Sequence, residues 1–302
     1  MYSGFPRKLL DKVRCPLDGG DIRIIEEREF SDERIFEAHL TCSDCAASFR
    51  IEDGILDLLS NGAEIPEEMK QEVEARDDDA DEYDDFTDQP WYRLEIPITI
   101  EHLSDLENRE IAEFGSGTGR ITLKIIKKAA ATVAIDFSRL SLHRLARRLS
   151  EADNIGLILG DITGLRFRPA CFDIAVSTQV LEHIPSPQLR GDFMNVVRNC
   201  LRPDGYFLCT AYYHDMRRRL RREPKEGFHE SGIFYHYFNK PELFELFSAC
   251  MKVTQIHTFL SHVPMVWRLQ FIFPRLIGFF EKTPFLREFG SLILVKAAKK
   301  PD

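Results

Sequence analysis

The run AEFGSGTGRIT over Ala112 to Thr122 constrains this chain more than any other stretch: an apolar segment leads into three alternate glycines and then into residues that favour a helix. Gly115, Gly117 and Gly119 lack a Cβ, so the main chain there can turn sharply and approach a bound molecule closely. A strand, a glycine-rich turn and the start of a helix together mark a nucleotide-cofactor site in an open α/β sheet.

The rest of the carboxyl-terminal two thirds repeats the alternation. Strands are expected over 110–114, 132–136, 155–159, 172–177 and 206–211, and helices over 119–128, from Ser138 as a cap through 149, and over 188–201. Beyond them, 241–250 reads as a helix and 253–259 and 291–297 as strands, the last inserted antiparallel.

Which cofactor follows from spacing. A nicotinamide or flavin fingerprint, G-x-G-x-x-G counted from Gly115, needs glycine at 120, where the chain has Arg120. Asp136 ends the second strand, where a carboxylate accepts hydrogen bonds from both ribose hydroxyls. Gly160-Asp161-Ile162 follows the third strand, with an acid placed for an adenine amino group and the next main-chain N–H for a ring nitrogen. The bland alternative is an unoccupied turn, with Asp136 and Asp161 as simple caps.

The ordered set EFGSGTGR, VAIDFS, GDI, FDIAVSTQVLEHI and LRPDGYF resembles the class I S-adenosylmethionine-dependent methyltransferases, of the type 11-like kind, over most of residues 90–300. The resemblance implies a Rossmann-like α/β fold with a seven-stranded sheet in the order 3-2-1-4-5-7-6. It implies S-adenosyl-L-methionine as cofactor across the carboxyl ends of the first strands. Gly115, Ser116, Gly117 and Gly119 would then lie against the methionine portion, with Glu113 orienting it. Asp136 corresponds to the ribose acid, Phe137 to its apolar neighbour, and Asp161 and Ile162 to the adenine contacts. Ser177 and Gln179 border the methionine and acceptor sides. His183 is the candidate general base, with a packing role as the alternative.

Ahead of this domain, Cys15-Pro-Leu-Asp18 and Cys42-Ser-Asp-Cys45 form two knuckles around a potential hairpin. That is zinc-ribbon spacing with Asp18 in the fourth ligand's place, so Cys15, Asp18, Cys42 and Cys45 are candidate zinc ligands. A ribbon without metal is the alternative. Together with the phrase SFRIEDGILDLL, which alternates as a strand and turns at Asp53-Gly54, the segment resembles a Trm112-like zinc-ribbon domain. We therefore expect a small β domain over 1–60, an acidic linker over 61–90 and the methyltransferase domain over 91–302.

The acceptor is less constrained. A lid insert is expected over 212–240, where Tyr235, His236 and Tyr237 are candidate substrate contacts and Arg217, Arg218, Arg219, Arg221, Arg222 and Lys225 form a basic cluster. The apolar segment 263–286 is interrupted by charges and proline. It suits burial, a hydrophobic acceptor or peripheral membrane contact rather than a membrane span. No N/D-P-P-Y/F run follows the fourth strand, which disfavours the amino-methylating enzymes that use that clamp. A net charge of −9 counts against broad attraction to nucleic acid. The amino terminus lacks the apolar core of a secretory signal, so a cytoplasmic location and reduced cysteines are expected. The leading expectation is methyl transfer to a small or medium-sized metabolite. The alternatives are an rRNA or tRNA methyltransferase that reads RNA with the amino-terminal module and the arginines, and a non-catalytic cofactor-binding scaffold or regulatory partner.

Overall fold

A computed structural model describes residues 2–31, 33–59, 90–151, 154–261, 283 and 287–300. The expected acidic linker and the apolar segment 263–286 lie almost entirely outside the described residues.

The amino-terminal part holds β1 (Phe5–Pro6), α1 (Arg7–Leu10) and β2 (Val13–Arg14), then β3 (Ile22–Phe30), β4 (Arg34–Cys42), β5 (Ser48–Glu52) and β6 (Ile55–Asp57). Strands β5 and β6 form a hairpin that turns at Asp53 and Gly54, with φ of 53° and 73°, the positive values a tight hairpin turn requires.

Next come α2 (Pro90–His102), β7 (Glu110–Phe114), α3 (Thr122–Ile125), β8 (Ala131–Asp136), α4 (Arg139–Arg147) and β9 (Ile155–Leu159). They are followed by β10 (Arg166–Phe167), β11 (Phe172–Thr178), α5 (Pro187–Cys200), β12 (Leu201–Tyr212) and α6 (Met216–Arg221). The chain closes with β13 (Glu226–Phe228), β14 (Phe234–His236), α7 (Lys240–Ser248), β15 (Met251–Ser261) and β16 (Gly290–Lys299).

Seven strands run in the spatial order β9-β8-β7-β11-β12-β16-β15, which is 3-2-1-4-5-7-6 in chain order, as expected. Six run in the same direction, and β16 is antiparallel to both its neighbours. The inner strands are buried on both faces, which explains their unbroken apolar runs. One face packs Phe114, Phe193 and Phe207 edge to face; the other packs Ile111, Ile174, Val176 and Leu208.

The first helix is shorter than expected. It occupies Thr122–Ile125 rather than 119–128, because Gly119 has φ +95°, a value no α-helical residue adopts, and only after it does the chain begin to coil.

The amino-terminal part continues the same sheet. Strand β6 pairs in parallel with β9, Ile55 opposite Leu157, so the full sheet has twelve strands and β9 is no longer an edge. Strand β2 pairs with β10, and a Cβ on Gly156 would lie 2.8 Å from the Phe5 ring, so that glycine makes room for the docked module. Phe5, Leu9 and Phe49 share one core with Phe114 and Phe167. Buried Asp57 pairs with Arg139 at the start of α4 at 2.5 Å, tying the module to the helix that follows Asp136.

Candidate active site

The glycine turn sits at the carboxyl end of β7. The N–H groups of Gly115 and Ser116 donate to the Ile135 carbonyl of β8 at 2.8 and 2.9 Å, which folds the turn back over the sheet. Asp136 fixes it further: its carboxylate accepts from Gly117 N–H at 2.7 Å and from Ser138 N–H at 3.0 Å.

The glycines serve different ends. A Cβ on Gly115 would lie 2.2 Å from Val180, and one on Gly119 would lie 2.4 Å from Leu145, so both are needed for packing. Gly117, at φ +51°, has nothing within 4 Å of its Cβ position among the described residues, which leaves a cradle beside Asp136. At the carboxyl ends of β7 and β11 are buried polar atoms without a hydrogen-bond partner among the described residues: Ser116 Oγ, Glu113 Oε2, Ser177 Oγ and Gln179 Nε2. Such groups are costly to leave unpaired, and the polar amino-acid end of S-adenosylmethionine is chemically suited to them. Burial pushes the Glu113 carboxyl up to about 8. Gln179 has φ +57° at the end of β11, a strained conformation for a residue other than glycine.

The adenine-side candidates are ordered differently. Asp161 accepts from both the N–H and the hydroxyl of Thr163, at 2.9 and 2.8 Å, so it shapes its own turn. Ile162 is buried in the core, and Phe137 is half-buried.

The acceptor-side candidates gather beyond β11 and β12. Gln179 N–H donates to the Thr210 carbonyl at 2.9 Å, joining the two strand ends. His183 lies on a single 3-10 turn, Leu181–His183, with Nδ1 2.7 Å from the Phe234 carbonyl oxygen. Nδ1 is then the protonated nitrogen, and Nε2 is the one able to accept a proton. His183 meets Tyr212 edge on at 5.7 Å, Tyr212 stacks on Tyr237 at 5.6 Å, and Tyr235 lies 5.0 Å from Tyr237. Tyr235 and Tyr237 thus join His183 in one aromatic wall.

His236 does not. Strand alternation turns it inward, where it is hydrogen-bonded to Glu226 at 3.0 Å and to Glu242 at 2.6 Å. Although burial works to raise it, His236 and Lys225 hold the Glu242 carboxyl at about 2. His236 therefore anchors α7 beneath the wall.

The arginine cluster is largely engaged within the protein. Arg217 pairs with Asp215 at 2.7 Å, Arg219 with Glu288 at 2.7 Å, and Arg218 lies 4.1 Å over the Tyr237 ring. Sequence reasoning missed Tyr212, which has no motif, and Glu95 of α2, which is fully buried and paired with Arg120.

In the amino-terminal module, one ligand atom from each of Cys15, Asp18, Cys42 and Cys45 lies within 4.8 Å of the others. Cys15 Sγ and Cys45 Sγ are 3.6 Å apart, and Cys42 Sγ is 3.3 Å from Asp18 Oδ1. A tetrahedral zinc with bonds of about 2.0–2.3 Å needs ligand separations of about 3.5–3.8 Å, so the cluster fits that ion.

Residues 111–205 match the family described as methyltransferase domain. A malonyl-[acyl-carrier protein] O-methyltransferase of Xylella fastidiosa (strain M23) is 29% identical over 127 residues, 41% of this chain and 42% of the relative. The chain spans less than half the length of the curated relatives it matches. Among solved structures, the Burkholderia thailandensis 1,6-didemethyltoxoflavin-N1-methyltransferase superposes with a TM-score of 0.54 at 20% identity, covering 86% of this chain and 98% of that one. A chain of the complex between the Haloferax volcanii Trm112 methyltransferase activator and a methyltransferase gives 0.55 at 14%, covering 76% and 98%. Residues 111–205 thus carry a methyltransferase domain, and the strand order and glycine turn around them are those of the class I S-adenosylmethionine-dependent methyltransferase fold.

Proposed function

We propose that the protein transfers a methyl group from S-adenosyl-L-methionine to a small or medium-sized, hydrophobic metabolite. The observation that carries the donor half is the open cradle at Gly117, whose N–H is held by Asp136, with buried polar atoms that lack partners among the described residues at the ends of the same strands. When bound, the sulfonium supplies an electrophilic methyl group for in-line displacement, so alignment of the acceptor provides much of the acceleration. Gly115, Ser116, Gly117 and Glu113 would hold the amino-acid end and Asp136 the ribose, with Phe137, Asp161 and Ile162 around the adenine. Ser177 and Gln179 would border the transfer path. His183, with Nδ1 held by the Phe234 carbonyl, would present Nε2 to an acceptor proton.

A metabolite acceptor is favoured over RNA because the wall beside His183 is aromatic, with Tyr235 and Tyr237 as contacts, while Arg217 and Arg219 are paired internally. The named activities of the Xylella and Burkholderia relatives also concern acceptors other than RNA. Cys15, Asp18, Cys42 and Cys45 would hold a structural zinc in a Trm112-like module over 1–60, ahead of a linker over 61–90 and the catalytic domain over 91–302. No helix among the described residues is long and apolar enough to cross a membrane, and a cytoplasmic site of action is part of this reading.

The test is incubation with isotopically labelled methyl donor and fractionated cell extract. Label in the metabolite fraction is expected. Label in RNA, reduced by Arg218→Glu with Arg222→Glu, would overturn the metabolite reading. Donor binding without label in any fraction would instead support the non-catalytic scaffold.

A further inference from the structure

Glu95 lies near the start of α2, 25 residues before Arg120 in sequence, yet its carboxylate is fully buried and its Oε2 pairs with the Arg120 guanidinium. Its other oxygen, Oε1, is buried without a hydrogen-bond partner among the described residues. Glu113 belongs to the same group: Arg120 acts on it electrostatically, it is 1% exposed, and its Oε2 is likewise buried and unpartnered. Thr99 Oγ1, one turn along α2 from Glu95, and Ser116 Oγ of the glycine turn are in the same state. One guanidinium therefore pairs with Glu95 and acts at longer range on Glu113, and both acids keep a buried oxygen in want of a donor.

An ammonium group meets that need. It brings three N–H donors and one positive charge, which matches the acceptors and balances the second carboxylate. We infer that Glu95, together with Glu113, lines the pocket that receives the ammonium group of the methyl donor, with Arg120, paired to Glu95, as its fixed counter-charge. The assignment rests on reading the cleft as an S-adenosylmethionine site. It adds α2, a segment outside the glycine turn, to the residues that select the donor.

The experiment is calorimetry on the full chain with two probes: S-adenosylhomocysteine, and 5′-methylthioadenosine, which keeps the nucleoside but lacks the amino-acid end. Glu95→Gln should weaken the first at least tenfold and leave the second within twofold. Glu95→Asp, which keeps the charge, should lose less. An equal change in both affinities, or no change in either, would overturn the inference. As a check on the unaltered protein, the deaminated analogue of S-adenosylhomocysteine should bind at least thirtyfold more weakly than its parent. Binding within threefold of the parent would overturn the inference even if Glu95→Gln fails to fold. If the unaltered protein binds neither probe, the donor-site reading itself falls, an outcome distinct from a failure at Glu95.

Discussion

The two halves of the cleft are built from different materials. The donor half, at the ends of β7 and β8, is made mainly of backbone: a folded-back turn, two N–H groups on Asp136 and a glycine with nothing beside its Cβ position among the described residues. The acceptor half, beyond β11 and β12, is made of rings from separate elements, with His183, Tyr212, Tyr235 and Tyr237 leaning on one another. A backbone cradle tolerates almost no side-chain change, whereas a ring wall can alter its shape through single substitutions. The proposed donor half thus suits one fixed cofactor, and the proposed acceptor half suits a substrate whose shape can be matched by changing single rings.

The sharpest way to break this comparison is Gly117→Arg. A long side chain in the open cradle, at a positive φ, should lower donor affinity by about 100-fold or more with the thermal midpoint shifted only slightly, read by calorimetry and thermal melting. An unchanged affinity would mean the cradle is not the donor site.

A pH series comes next in size. In the free protein, burial raises the Glu113 carboxyl to about 8, and it is faced by Arg120, Thr122 and Asp136. Below that pH the carboxyl carries a proton that an incoming ammonium must displace, so affinity for S-adenosylhomocysteine should rise with pH by up to about tenfold per unit and level off above it. A flat profile from pH 6 to 9 would separate Glu113 from donor binding.

Tyr237→Ala probes the other half. It should raise the acceptor's KM by about tenfold while leaving donor affinity within twofold, as expected for loss of ring contact alone. Equal loss on both sides would show that the two halves are not separable.

The smallest effect on the cleft is expected from the distant module. Cys42→Ser should abolish bound zinc, measured by elemental analysis, and lower the thermal midpoint, while donor affinity changes by less than about threefold. Unaltered protein purified under metal-replete conditions without zinc would end the proposal of a structural ion.

What the sequence made legible follows the same division. The strand order, the turn and the Ser138 cap, whose side chain accepts from Ser141 N–H, depend on local patterns read over a few residues. Glu95 escaped because its partner, Arg120, is set by tertiary packing; only a lone acid within the apolar stretch Leu94 to Ile100 hinted at it. His236 was grouped with Tyr235 and Tyr237 by composition, but a strand sends neighbouring side chains to opposite faces, and that alternation placed it under α7. The docking of β6 on β9 was equally hidden, since a strand's sequence does not name the edge it will pair with.

The central claim is that Asp136 and the Gly117 cradle form the donor site, and calorimetric titration of S-adenosylhomocysteine into the unaltered protein and Asp136→Ala tests it most directly. We predict one site per chain whose affinity falls by about 100-fold in the variant, the loss expected when two hydrogen bonds donated by ribose hydroxyls to a charged carboxylate are removed. Equal affinity in the two proteins, with both folded, would contradict the account.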